Sequence, residues 1–207
     1  MTPELRAILD RFIIDSANVK YIATTLPKGG LEAEVPGLTW SVRQLIAHVT
    51  ASLERYAALA RQFAEDGSHP ADFDPEAFNA ASAGAAKRTP LPALLGRIDL
   101  AIASLFETFE GLPDDAADRP YAHLRFADAL QAWSLHCIEH GMDLVDALPH
   151  THEDAMVLNW ILYADFDDDP PRLARQQRLL EEVRDRLQQQ GDDWDDDEWD
   201  EGEPDAP

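Results

Sequence analysis

Three things are scarce in this sequence of 207 residues: cysteine, basic charge and long apolar runs. The single cysteine, Cys137, has no partner for an internal disulfide, which excludes a disulfide-stapled scaffold and agrees with a reducing compartment. Lysine and arginine number 17 against 40 aspartates and glutamates, a net charge of −23. Residues 191–207 carry ten acids and no base, yet even without them 30 acids face 17 bases. Such a body repels phosphate backbones, and no cluster of bases with interleaved aromatics offsets this, so no nucleic acid partner is expected. No apolar run approaches the eighteen or so residues of a membrane span, so no membrane partner is expected either. The opening MTPELRAILDRF sets Glu4 and Asp10 in an amphipathic pattern and lacks the basic and apolar regions of a signal peptide. A cytoplasmic protein is the expectation.

What is present is helical periodicity. An apolar fraction of 45% suffices for one core, and one domain is expected over most of the chain. Leu5, Ile8, Leu9, Phe12, Val19, Ile22 and Leu26 mark one stripe of a first helix, which Pro27, Gly29 and Gly30 end. Ser41 and Gln44 form a capping box for a second helix, with Thr39 as the alternative cap, whose stripe runs Leu45, Val49, Leu53, Tyr56, Leu59 and Phe63. Residues 67–89 are broken enough for a long connection with a short helix near 75–86. A crossover of this length is expected where sequential bundle helices run parallel. Pro90 and Pro92 open a third main helix through Leu94, Ile98, Leu105 and Phe109, and a fourth covers about 126–148. Thr151 to Asp154 resembles another capping box, opening a short helix to about Ala164. A last helix is expected over about 172–190, and residues 191–207, nearly without apolar side chains, are expected to be disordered. The fold class is therefore all-α: a four-helix bundle over 1–150 with a long crossover, a helical extension over 151–190 and an acidic tail.

His136 and His140 lie four residues apart on the fourth helix, a spacing that puts both imidazoles on one face. The pattern Phe126, Ala129, Trp133, His136, His140, Leu144 places them on the stripe that faces the core. A buried imidazole without a partner costs on the order of 1–3 kcal/mol, so two in adjacent turns call for an explanation. His48, beside Val49 on the inward half of the second helix, could face them and complete a three-histidine metal site. The bland alternatives are an ordinary buried histidine at 48 and a surface pair at 136 and 140. Cys137 points away from His140 around the helix and reads as packing, while His123, His150 and His152 read as solvated. Asp143 reads as a solvated helix-face acid, with support of His140 from one turn below as the alternative. Asp167 to Asp169 lack the spacing and glycine of a calcium loop and read as a turn.

These segments carry a family resemblance. "PGLTWSVRQLIAHV" (36–49) resembles the part of DinB-like proteins in which a loop and a Trp-Ser/Thr helix start lead to a first metal histidine. "HCIEHGMDLVDALP" (136–149) is similar to their second metal segment, and its His-Gly-x-Asp-Leu phrase is typical of the N-terminal domain of mycothiol-dependent maleylpyruvate isomerases. "DFDPEAFNAASAG" (72–84) resembles the family's middle connection. The resemblance covers about residues 1–150 and implies His48, His136 and His140 as the metal ligands. Two departures separate the chain from the isomerase type. That type has a glutamate where this chain has His136, and residues 150–190 hold no counterpart of its larger C-terminal domain.

Three protein ligands leave one coordination position open, the pattern of a catalytic ion. The resemblance implies that the metal activates a low-molecular-weight thiol whose sulfur attacks a small electrophilic substrate, as in a thiol S-transferase or a thiol-assisted isomerase. Zinc is the first choice of divalent ion; nickel, iron and manganese stay open, because ligand type alone does not select among them. A non-enzymatic metal-binding or interaction module is the rival reading, and an exposed last helix is compatible with a homodimer.

Overall fold

The computed structural model describes residues 1–70, 72–148, 156, 157, 160 and 170–192. Five α-helices precede residue 148: α1 (Pro3–Thr24), α2 (Val42–Asp66), α3 (Pro75–Ala85), α4 (Leu91–Glu110) and α5 (Phe126–Ala147). Local chemistry sets their starts. Thr2 and Asp74 accept hydrogen bonds from the backbone N–H groups of Leu5 and Ala77, with a proline following each cap. Ser41 and Gln44 form the reciprocal capping box of α2, so Ser41 rather than Thr39 is the cap. α2 ends at Gly67, whose φ of 73° is left-handed backbone that suits glycine. A two-residue ribbon, β1 (Pro120–Tyr121) with β2 (Leu124–Arg125), leads into α5.

The long helices α1, α2, α4 and α5 close on one core, in which Leu5, Phe12, Leu45, Leu53, Ile98, Leu105, Phe126 and Leu144 are fully buried. Each such side chain contributes about 1.5–3 kcal/mol of burial free energy. The order of cross-helix contacts gives the directions. Glu54 pairs with Arg97 and Ser104 accepts from Arg61, so residue numbers rise together and α2 and α4 run parallel. Joining parallel helices requires a return of about one helix length, which explains the long connection holding α3. Glu4 with Arg125 and Asp15 with Ser134 show that α1 and α5 are also parallel. Against α2, α5 is antiparallel: Phe63 meets Phe126, Tyr56 stacks on Trp133 and His48 meets His136.

The chain divides into two compact units, Met1–Trp160 and Ile161–Pro207. Trp160 belongs with the bundle because its indole Nε1–H donates to the buried Asp15 at 2.9 Å. The second unit contains α6 (Pro170–Asp192), which starts two residues before the expected position, since proline fits a first helical turn, and extends over Gly191 and Asp192. The short helix expected over 151–164 falls largely outside the described residues, where Met156, Val157 and Trp160 are its described helical positions. The acidic tail from residue 193 onward lies outside them as well.

Candidate metal centre

Antiparallel packing of α2 on α5 brings His48, His136 and His140 together, with one potential ligand atom from each lying within 4.8 Å of the others. His48 Nε2 is 3.2 Å from His136 Nε2, and the ring centroids of His136 and His140 are 4.4 Å apart. His48 is buried, whereas His136 and His140 keep partial exposure. The site thus sits at the edge of the core.

Hydrogen bonding fixes the imidazoles of His48 and His140. The Ser82 hydroxyl on α3 donates its one proton to the Asn79 carbonyl at 3.0 Å, so towards His48 Nδ1, 3.1 Å away, it acts as an acceptor. His48 therefore carries its proton on Nδ1, which leaves Nε2, with the Ser52 hydroxyl 3.5 Å away, as the lone-pair atom. His140 Nδ1 donates to Asp143 Oδ2 at 2.8 Å, which likewise leaves its Nε2 as the lone-pair atom. Burial first, then the neighbouring His140 and His136, lowers the pKa of His48 to about 3, so the ring is neutral at physiological pH.

A metal ion suits this arrangement. Zinc bonds imidazole nitrogen at about 2.0–2.1 Å, and two such bonds at a tetrahedral angle separate the nitrogens by about 3.3 Å. The 3.2 Å between His48 and His136 agrees with that spacing. A proton on His136 Nε2 could also bridge this one pair. It would leave the lone pair of His140 in the same cluster unanswered, whereas an ion serves all three. Anchoring of ligand histidines through their second nitrogen is the usual support for such sites.

The walls come from residues that periodicity alone does not select. Trp40, in the turn before the α2 cap, lies 4.9 Å from His48 and 6.4 Å from His140 between ring centroids. Phe78 stands edge-on to His48 at 5.6 Å. Phe78 and Ser82 are four apart on α3, so one face of that short helix supplies both an apolar wall and a hydrogen bond to His48. That i, i+4 pair was the available sequence signal for a role of α3.

Two expectations need correction. Asp143 is not a solvated acid: it is 9% exposed and bonds His140, because three residues along α5 is a neighbouring position on the same side. The most deeply buried side of α5 is also offset from the histidine stripe. It runs through Leu130, Ser134, Cys137, Ile138 and Gly141, since α5 packs on α1 as well as on α2. Cys137 is buried packing, and burial with the nearby Asp15 raises its thiol pKa well above the ordinary range. His123 is exposed, as expected, while His150, His152 and Asp167 to Asp169 lie outside the described residues.

Gly141, next to His140, has a role that the sequence did not reveal. A Cβ at this position would lie 2.6 Å from Trp160 Cζ2 and closer still to Cη2. Only glycine lets the indole lie against α5.

The family model of the DinB superfamily matches residues 15–144, from the middle of α1 to Leu144 near the end of α5. The chain belongs to the DinB superfamily. A solved structure with a similar fold is that of the mycothiol-dependent maleylpyruvate isomerase, with a TM-score of 0.57 and 18% sequence identity over 78% of this chain and 70% of that one. No curated protein sequence matches the chain. Within the DinB superfamily fold, the three histidines come from the second and fifth helices and their hydrogen-bond supports from the third and fifth.

Proposed function

We propose that this DinB superfamily protein binds one divalent metal ion on His48, His136 and His140 and transfers the sulfur of a low-molecular-weight thiol to a small electrophile. The observation that carries this reading is the convergence of three ring nitrogens within 4.8 Å, with the Nδ1 atoms of His48 and His140 engaged by Ser82 and Asp143 so that each Nε2 keeps its lone pair. A bound divalent ion supplies an open coordination position and lowers the pKa of the thiol placed there. Zinc is the favoured ion, with nickel, iron and manganese compatible with the same ligands.

The chain's own residues provide position and dryness. Ser82 and Asp143 hold the Nδ1 protons and so fix which nitrogens face inward. Trp40 and Phe78 flank His48 and limit water at the reacting sulfur. In transfer, an S–C bond forms, the thiol proton leaves to solvent and the leaving group departs with its electron pair. In the isomerase variant the thiol adds, the adduct rotates and the same thiol is expelled. Likeness to a mycothiol-dependent enzyme supports thiol chemistry of one of these two kinds.

Untagged protein assayed for bound metal, then for thiol consumption with monobromobimane over a panel of small thiols, tests the reading. About one ion per chain and metal-dependent turnover with at least one thiol are expected. Protein that stays metal-free in micromolar zinc removes the reading. Metal without turnover for any thiol favours a non-enzymatic metal-binding module.

A further inference from the structure

Arg55 stands out among the cations of the bundle. It lies on α2, seven residues and two turns beyond His48 and therefore on the same face. The sequence holds more than two acids for every base, and Arg6, Arg11, Arg43, Arg97, Arg119 and Arg125 all form ion pairs with carboxylates. Arg55 has none among the described residues. Its guanidinium carbon sits 3.7 Å above the Phe73 ring and 6.0 Å from that of Phe78. Partial burial lowers its pKa, the direction expected of a cation withdrawn from water without a countercharge.

The connection to the metal centre is Phe78. Its ring centroid is 5.6 Å from that of His48 on one side and 6.0 Å from Arg55 Cζ on the other, so a single ring separates the histidines from the guanidinium. Stacking on Phe73 occupies the face of the guanidinium and leaves its N–H edge available. That edge is a planar fork matched to two carboxylate oxygens. A partly desolvated arginine with no carboxylate partner among the described residues thus lies on the helix face that carries His48.

We propose that Arg55 receives a carboxylate carried by one of the two small molecules that react at the histidine cluster. The site therefore selects carboxylate-bearing substrates. This inference rests on the proposed thiol chemistry for its placement in a reaction, and on Arg55 and its aromatic neighbours alone for the binding of the acid.

Two experiments on the full-length, zinc-loaded protein test it. In the first, Arg55 is labelled with phenylglyoxal and followed by peptide mass spectrometry, a readout that needs no turnover. At least tenfold protection by 4-methylbenzoate, and none by 4-methylbenzamide, is expected. Labelling that is absent, or indifferent to the acid, overturns the proposal even where thiol chemistry is present. If the protein has no thiol activity but the acid protects, the binding site stands and the proposed reaction falls.

The second compares the wild type with Arg55→Gln and Arg55→Lys, after equal metal content and helicity have been checked. With 2-mercaptoethanol as thiol, kcat/KM for iodoacetate and iodoacetamide reports a carboxylate on the electrophile. With monobromobimane as electrophile, 3-mercaptopropionate and 3-mercaptopropanol report one on the thiol. Arg55→Gln should lower kcat/KM for the acid of one pair at least tenfold and leave its neutral counterpart within twofold. Arg55→Lys should recover only part of the loss, because an ammonium lacks the fork. Equal losses for acid and neutral partner in both pairs, or a fall in thermal midpoint alone, would make Arg55 a structural clamp on Phe73 and overturn the proposal.

Discussion

Two neighbouring positions on α5, His140 and Gly141, face different worlds. His140 keeps some exposure beside Trp40 and His48, and its partners are polar. Gly141 lies on the closed side, against the indole of Trp160, in line with Cys137 and Ser134. There Asp15 accepts from Trp160, Arg11 and Ser134 and ties α1, α5 and the segment after α5 together. One helix thus carries the histidine cluster on one side and close packing on the other. A site built on a regular element whose back is close-packed can lose a ligand without losing the element.

The sharpest way to break this contrast is His140→Ala. Metal affinity should fall by more than about 100-fold, read by competition with a chromogenic chelator. The loss of stability should be only about 1–3 kcal/mol against a typical total of about 5–15, so circular dichroism should still show a helical protein. An unfolded variant would mean that the ion holds the fold together and that the division between the two sides is wrong.

Gly141→Ala should do the reverse. Alanine gains about 1 kcal/mol of helix propensity. Overlap with Trp160 costs about 1–3 kcal/mol or more, and displacing the indole also takes a donor from the buried Asp15. The expected balance is a loss of about 2 kcal/mol, a fall in thermal midpoint of roughly 4–8 °C. Stoichiometric metal binding should survive. A more stable variant would show that Trp160 is not fixed against α5.

Smaller effects sharpen the chemical side. Asp143→Ala and Ser82→Ala each remove the acceptor of one Nδ1 proton, from His140 and His48 respectively. Support of this kind is worth about 10–100-fold in metal affinity, and the carboxylate should matter more than the hydroxyl because its hydrogen bond is charge-assisted. Isothermal titration of both variants with zinc orders the two. Unchanged affinity in both would mean that the tautomers are set by the ion rather than by the protein.

The histidine site was legible because its decisive information is local. A spacing of four on a helix fixes a common face whatever the rest of the chain does, and the capping box at Ser41 fixed the start of the helix that carries His48. The burial of Asp143 was not legible. An acid three residues from a histidine looks the same on a solvated face and against a packed one, and only packing distinguishes them. Ser82 and Arg55 were hidden for a related reason, since nothing in the connection after α2 says where α3 docks.

By itself the sequence determined the helices, their caps, the long connection and the paired histidines, because each follows from backbone geometry over fewer than about five residues. Tertiary structure alone decided that Ser82 would face His48 across 34 residues and that Trp160 would reach Asp15 across 145. It also decided that Arg55 would meet the rings of Phe73 and Phe78. Such contacts join segments whose own periodicities are silent about one another, and packing the helices into one core is the step that selects them.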